Sequence, residues 1–334
     1  MTNQISSRKS YSQSKKSAVS EELEKNISNW TDSKKLGKQV CVYTTGSFGR
    51  NDASKYSDLD TFIISLEEEM SSDRLLSGLE EIELAASIID VNRKHGLPEL
   101  DGDGGYLKAH SETEYLVGLG KPEDDANNTF TGRLLLLLES DVIFGETVYN
   151  QMIDECINRY WLDYTDHADS FMPAFLLNDI LRFWRTLCIN YEVGTQISPE
   201  KRRAKNFKLK YSRLLTCYSA VVGLQLLLRE NNTVTKEQAV ELVRATPLER
   251  VLRAADHGVR QNVETITEMY EEFLEETDCS KADLREKMKD TEYYGKELER
   301  ARAFGDEFFL LIKSLAEMDS VGSPSWRLLR YVTV

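Results

Sequence analysis

Cysteine is scarce in this sequence, and no cysteine is placed to bind zinc. The 334 residues include five cysteines, which are widely spaced and form no Cys-x-x-Cys pair. Zinc ribbons and thioredoxin-like redox centres need such a pair, so both classes of site are excluded. Because most of the five lie within apolar runs, we expect buried thiols in a reduced cytoplasm.

Positive charge is also in short supply. The chain has 42 Lys and Arg against 56 Asp and Glu, which gives a net charge of −14. Broad binding to a nucleic-acid backbone needs clustered basic side chains. RNA or DNA is therefore disfavoured as the main partner, although a local basic groove is compatible with this charge.

Long apolar runs and internal repeats are missing too. No uninterrupted apolar stretch approaches the length of a membrane span, and the N-terminus has no apolar signal core. A repeat period of about 20 to 50 residues, which would indicate a solenoid, is not found. We therefore expect a soluble cytoplasmic protein with no membrane partner.

The most informative stretch contains two closely spaced aspartates. The apolar run 40–43 predicts a short buried strand, and residues 60–64 predict a second strand after a polar turn. Side chains two apart on a strand point to the same side, so Asp58 and Asp60 would present their carboxylates together while Leu59 enters the core. Oxygen ligands of this kind favour Mg²⁺ or Mn²⁺.

A turn with phosphate-binding character precedes these aspartates. Gly46 lets the backbone approach a phosphate, and Ser47 offers a hydroxyl as well as its amide. The turn starts a helix whose first N–H groups suit an anion. Arg50, one helical turn after Ser47, could reach the same phosphates.

These residues resemble the signature of the nucleotidyltransferase superfamily of DNA polymerase β, which is Gly-Ser, a nearby Arg, and a strand carrying Asp-x-Asp. The segment GSFGRNDASKYSDLD fits the bacterial branch of that signature without a gap. The resemblance implies a metal-dependent transfer of a nucleoside monophosphate from an NTP to a hydroxyl acceptor, with release of pyrophosphate. It also implies that Asp58 and Asp60 hold two Mg²⁺ or Mn²⁺ ions. The plainer interpretation is a Gly-Ser turn followed by two solvated aspartates.

Beyond the motif, residues 38–150 resemble the catalytic domains of PII uridylyltransferase and glutamine synthetase adenylyltransferase. In those families an acidic residue precedes a strand that ends in His-Ser, and here Asp103 precedes His110 and Ser111. The resemblance implies that Asp103 is a third catalytic and metal-binding carboxylate, with Asp101 as the alternative. His110 is equally well explained as a strand-end histidine that bonds the backbone.

A second likeness to those families lies in the Leu-rich segment 129–145. It resembles a helix of the two families, in which Arg133 and Glu139 would pair or face the cleft. Because residues 134–138 are apolar on all sides, we expect this helix to be buried against the sheet.

The overall pattern predicts an α+β fold. A small mixed β-sheet nucleotidyltransferase domain with flanking helices would occupy residues 19–147, with a helix from Ser72 or Asp73 to His95. Three- and four-residue apolar spacings predict an all-helical domain over 148–334. Residues 1–18 are rich in Ser and Lys with little apolar content, which predicts a disordered arm.

The helical domain carries the only dense basic stretch, residues 201–210. It could deliver Lys208 or Lys210 to the NTP, bind an acidic partner, or be a solvated helix start. Asp179 and Arg182 share a helix face and would either face a cleft or pair. The domain would hold the acceptor, for which a protein side chain is favoured; a small molecule, an RNA end and a second nucleotide remain open.

Two rival hypotheses come from other classes. A nucleotidyltransferase-like fold could bind NTP or a partner protein as a regulatory module without turnover, but such a binder does not need both metal carboxylates. Arg250 and His257 could instead form a ribonuclease pair of the kind seen in helical toxins. Loose spacings of this type are common by chance.

Overall fold

The computed structural model describes residues 3–30, 33–68, 73–100, 107–193 and 198–333. The chain divides into two compact units, Met1–Arg159 and Tyr160–Val334. A small mixed sheet lies in the first unit, and the second is helical wherever it has regular structure. The predicted fold class is therefore confirmed. The units meet in sequence at residues 159 and 160, whereas the predicted domains meet at 147 and 148.

The first unit consists, in chain order, of α1 (Gln4–Ser28), α2 (Ser33–Leu36), β1 (Val40–Thr44), α3 (Gly46–Gly49), β2 (Thr61–Ser65), α4 (Gly78–Lys94), β3 (Ala109–Ser111), α5 (Glu112–Leu116), α6 (Pro122–Ala126), α7 (Thr129–Leu138), β4 (Asp141–Phe144) and α8 (Glu146–Tyr160). The second unit consists of α9 (Tyr164–His167), α10 (Ala174–Val193), α11 (Pro199–Lys208), a π-helical turn (Leu209–Arg213), α12 (Leu214–Asn231), α13 (Lys236–Arg244), α14 (Pro247–Leu252), a 3₁₀ turn (Arg253–His257), α15 (Arg260–Glu276), α16 (Lys281–Lys287), α17 (Thr291–Glu317) and α18 (Pro324–Thr333).

The described strands form a sheet in the order β3-β2-β1-β4. β1 is antiparallel to β2 and β4, whereas β2 and β3 are parallel. Val40 and Val42 of β1 join a core with apolar residues of α1 and α4. Tyr43 lies on the opposite face, where its hydroxyl is 3.0 Å from that of Tyr115 and its ring packs near Tyr149. Both faces of the central strands are therefore covered.

Residues 4–28 form helix α1, so the prediction of a disordered arm over 1–18 is wrong from Gln4 onward. Asn3 caps α1 by accepting a hydrogen bond from the amide of Ser6 at 3.0 Å. The buried positions recur every three or four residues and are Arg8, Ser12, Lys16, Val19, Leu23 and Ile27. Half of this buried face is polar and is held by hydrogen bonds. The prediction failed because it used only the low apolar content of the segment, and a polar buried face does not show in that measure.

Helix α4 begins later than the sequence pattern predicts. Ser77 and Glu80 form a reciprocal capping box at its N-terminus, so the helix starts at Gly78 and not near Asp73. Leu79 and Ile82, two apolar residues near the start of this helix, are 77% and 66% exposed. The predicted end is confirmed, since His95 is the C-cap residue.

Helix α12 is the centre of the second unit. It packs against α10, α13, α14, α17 and α18, and its residues are buried on nearly every side. With α11 and the π-helical turn it forms a continuous helix over residues 199–231, the one described helix long and apolar enough to span a membrane. In this structure 83% of its apolar stretch is buried, as in the core helix of a globular unit. Its length and composition are therefore only weak evidence for a membrane span.

Candidate active site

The Gly46 turn lies directly against Asp60. Gly46 has φ +64°, a left-handed conformation that favours glycine. A Cβ atom placed on Gly46 would lie 2.8 Å from Oδ2 of Asp60, so a side chain here would displace that carboxylate. The last β1–β2 pair, Thr44 and Thr61, brings the two segments together. The turn and one carboxylate of the predicted motif thus share one small space.

Asp58 and Asp60 lie just before β2 and not on it. The pairing of β2 with β1 begins at Thr61, because the residue after Thr44 on the other side, Thr45, is already the N-cap of α3. The amide of Thr45 still donates to the carbonyl of Asp60 at 2.9 Å. Leu59 is buried in the core, while both aspartates are half-buried. The predicted alternation therefore holds although the residues precede the strand.

The guanidinium of Arg50 faces two carboxylates. Its Nε donates to Oδ2 of Asp52 and its Nη1 donates to Oε2 of Glu139, both at 2.9 Å. Arg50 is only 9% exposed. A Cβ atom on Gly49 would lie 2.0 Å from the carbonyl oxygen of Glu139, so α3 approaches the end of α7 closely. Arg50 fixes α3 to α7, and its direct contact with phosphate stays a prediction.

Arg133 and Glu139 do not form the predicted pair with each other. Arg133 is fully buried and donates from Nη2 to Oδ2 of Asp124 at 2.5 Å and from Nη1 to the carbonyl of Tyr115 at 2.9 Å. Glu139 pairs with Arg50 instead. Arg133 therefore joins the short helices α5 and α6 to α7. Glu139, at the end of α7, fixes α3 through Arg50. The predicted burial of α7 is confirmed, because all five residues from Leu134 to Leu138 are buried.

Asp103 and Asp101 lie outside the described residues, so the third carboxylate stays a prediction. His110, on β3, has its Nδ1 atom 3.4 Å from the Glu114 carboxylate, and its ring packs edge-on against Tyr115. Burial lowers the pKa of His110, which favours a neutral imidazole. Across the described ranges, no group of three His, Cys, Asp or Glu side chains could hold a metal ion. Asp58 and Asp60 are the candidate metal ligands that the structure describes.

The basic stretch of the second unit is divided between internal contacts and solvent. Arg202 pairs with Glu192 at 2.9 Å, and Arg203 donates to the carbonyl of Met288 at 3.0 Å. Lys208 is exposed at the end of α11, and Lys210 is half-buried in the π-helical turn. Lys208 and Lys210 stay predictions as nucleotide ligands.

The structure contradicts the ribonuclease pair. Arg250 is buried, and its Nε and Nη2 donate to the carbonyls of Leu242 and Val243, each at 3.0 Å. It therefore binds the C-terminal end of α13 and is not accessible to a substrate. The other polar candidates, Asp179 and Arg182, are 3.8 Å apart, as the pairing alternative expects.

Sequence reasoning missed a set of residues on α1 that contact the motif. Arg8, Ser12 and Lys16 bond the loop 51–53, which connects α3 to the segment of the aspartates. These residues could have been found from their spacing. They are four residues apart, and the same helix face continues with the apolar residues Val19 and Leu23. The low apolar content of the segment concealed it.

Residues 30–101 match the family model of a nucleotidyltransferase domain. This range contains β1, the Gly46 turn, both aspartates, β2 and α4. The comparisons with curated proteins and with solved structures found no match. The domain match supports a general nucleotidyl-transfer activity and implies a nucleotide substrate. It includes no residue of the second unit.

Proposed function

We propose that this protein transfers a nucleoside monophosphate from an NTP to an acceptor hydroxyl. The observation that supports this most directly is the position of Oδ2 of Asp60 beside the Gly46 turn, 2.8 Å from where a Cβ of residue 46 would lie, within the part of the chain that matches a nucleotidyltransferase domain. Because glycine carries no side chain, the backbone of this turn can be approached closely by a phosphate. A carboxylate beside it places metal-binding oxygens at the same point.

Two half-buried carboxylates of this kind suit Mg²⁺ or Mn²⁺, and we assign Asp58 and Asp60 as the ligands. When bound, two such ions would neutralise the triphosphate and lower the pKa of the acceptor hydroxyl. Ser47 would bind a phosphate oxygen through its hydroxyl and its amide.

The reaction forms a bond from the acceptor oxygen to the α-phosphorus and breaks the bond from that phosphorus to pyrophosphate. The proton of the hydroxyl passes to a carboxylate, for which the resemblance to the two bacterial families favours Asp103. Asp58 and Asp60 would hold the cations that orient the triphosphate, so alignment and charge stabilisation would supply the rate.

For the acceptor we propose a protein side chain in the cytoplasm. The support is the resemblance to PII uridylyltransferase and glutamine synthetase adenylyltransferase, both of which modify proteins. The second unit, with no part in the family match, would bind the acceptor. The net charge of −14 disfavours RNA. A small molecule and a second nucleotide are further outcomes of the test.

The test incubates the purified protein with each labelled NTP, Mg²⁺ or Mn²⁺ and cell lysate. We expect label in protein, and label in RNA or in a small product would change the acceptor class. Asp58→Ala and Asp60→Ala should abolish transfer and leave the melting temperature unchanged or higher, because removing one carboxylate relieves repulsion. Asp90→Ala, an exposed position on α4, is the matched control and should keep full activity.

Thermal shifts separate the enzyme from a regulatory binding module. An enzyme should melt at a higher temperature with NTP and metal together than with NTP alone, because metal bridges phosphate and carboxylate. An equal shift with and without metal that survives Asp60→Ala would favour the binding module. Near-normal turnover of either aspartate variant would contradict the metal assignment.

A further inference from the structure

The N-terminal half of α1 presents a buried polar stripe, which consists of Arg8, Ser12 and Lys16. These residues are spaced by four and lie on one face of the helix. They are 6%, 0% and 6% exposed, respectively. Burying two cations and a hydroxyl is costly unless each finds a partner, so the partners of the stripe identify what it serves.

Each stripe residue bonds one of three consecutive residues in a single loop. Lys16 donates to Oδ1 of Asn51 at 2.6 Å, and Arg8 donates to the carbonyl of Asp52 at 3.1 Å. The amide of Ala53 donates to the hydroxyl of Ser12 at 2.9 Å. The Ser12 hydroxyl in turn donates to the carbonyl of Arg8 at 2.7 Å, which orients its lone pair toward Ala53.

This loop connects the two halves of the candidate active site. On one side, the amide of Asp52 donates to the carbonyl of Ser47 at 2.9 Å. On the other side, the loop runs into a turn closed by the amide of Ser57 and the carbonyl of Ser54 at 2.9 Å, and Asp58 follows directly. A displacement of the loop would therefore move the phosphate-binding turn and a metal carboxylate relative to each other.

The loop conformation also requires support. Asn51 has φ +62°, a left-handed conformation that is uncommon for residues other than glycine and in which asparagine is enriched. The bond from Lys16 reaches the side chain of this residue. Lys16 also pairs with Asp141 at the start of β4, and Ser20 donates to the carbonyl of Ile143 at 2.7 Å. The helix that carries the stripe is thus fixed to the sheet.

We propose that the polar stripe of α1 positions the loop 51–53, and through it Ser47 and Asp58, for nucleotidyl transfer. The proposal rests on the proposed function, and the three stripe residues act as positioning residues without touching substrate. Ser12 is the most specific of them, because it is fully buried and its hydroxyl is the acceptor for a loop amide. The segment that the sequence predicts to be a disordered arm would then support the catalytic residues.

The test compares Ser12→Ala with Ser17→Ala. Ser17 lies on the same helix but is exposed, and its hydroxyl bonds only a local partner, Glu21, in the contacts that the structure describes. The full-length variants are assayed well below their melting temperatures for kcat and KM, and Mn²⁺ binding is measured by calorimetry without nucleotide. We expect Ser12→Ala to lose about tenfold or more in kcat and to bind Mn²⁺ more weakly, while Ser17→Ala matches the wild type.

A merely structural role would lower the melting temperature of Ser12→Ala and leave kcat and Mn²⁺ affinity unchanged, which would overturn the proposal. If Ser12→Ala does not fold, Lys16→Met keeps most of the side-chain packing and should show the same two losses, with the exposed Lys25→Met as its control. Failure of the proposed function is distinct: the wild type itself would then neither transfer label nor bind Mn²⁺.

Discussion

At the residue scale, Gly46 combines a left-handed conformation with contact to a carboxylate. We predict that Gly46→Ala abolishes transfer, because the added methyl group would displace Oδ2 of Asp60, and that it lowers stability by about 1 to 2 kcal/mol. Gly96→Ala is the matched control: its φ of +63° is nearly the same, but nothing lies within 4 Å of the added Cβ. Urea unfolding and transfer assays measure both effects. Equal activity in the two variants would contradict the prediction.

Glu297 on α17 provides a test of burial and charge. Burial raises the pKa of Glu297, and Glu276 and Glu272 raise it further, while Arg300 lowers it. A raised folded-state pKa means that the stability from protonation is present at low pH and is lost as pH rises through the folded pKa. Replacing Glu297 by the neutral residue Gln, which has nearly the same shape, should therefore raise folding stability at neutral pH.

We predict that Glu297→Gln raises the melting temperature at pH 7 and that this advantage disappears near pH 4. Thermal unfolding at the two values checks the prediction. Glu292→Gln, an exposed position at the start of the same helix, should change little at either pH. A gain for Glu297→Gln that is equal at both values would show that repacking, and not the charge, is responsible.

Single residues were predictable where their chemistry is local. The alternating burial of Asp58, Leu59 and Asp60 follows from residue type and spacing. Partners distant in the chain were not predictable: Arg50 pairs with Glu139, although phosphate and carboxylate both suit its planar fork. Residue type alone does not decide between two such acceptors.

At the scale of elements, the fully buried pair of Arg133 and Asp124 joins α6 to α7. We predict that Arg133→Met costs roughly 3 to 5 kcal/mol of unfolding free energy, because it leaves a buried carboxylate without its cation. Arg159→Met, at an exposed position on α8, should stay within about 0.5 kcal/mol of the wild type. Urea denaturation measures both.

The double variant Asp124→Leu with Arg133→Met decides the cause. If loss of the counter-charge is responsible, the double variant should recover much of the stability lost in Arg133→Met, since no buried charge is left unpaired. Additive losses would instead attribute the effect to packing or to the bond from Arg133 to the carbonyl of Tyr115.

Element boundaries followed local capping more closely than apolar spacing. The capping box of Ser77 and Glu80 sets the start of α4, and this signal is readable in the sequence. α1 is different, because its buried face is apolar only from Val19 onward and polar before it. A polar buried face becomes evident only when its partners, here residues 51–53, are known.

At the scale of the whole molecule, the fold class was predictable because strand patterns are confined to the first part of the chain. Beyond β4 the described elements are all helical, as the three- and four-residue spacing predicts. The division at residues 159 and 160 was not predictable. Tyr149, at the start of α8, packs near Tyr43 of the sheet, so this helix belongs with the first unit.

Net charge sets an expectation for the acceptor. The net charge is −14, and Arg202 and Arg203 of α11 make internal contacts. Lys201, Lys205 and Lys208 lie on the same helix and are the cations that this test replaces. We predict that transfer changes little between low and moderate salt, apart from screening of exposed charges.

If RNA were the acceptor, the logarithm of its affinity would fall with the logarithm of salt by about 0.7 per phosphate contact. Replacing the three lysines by Gln would then flatten that slope by about 2. A steep slope that the triple variant flattens would contradict a protein acceptor and favour RNA.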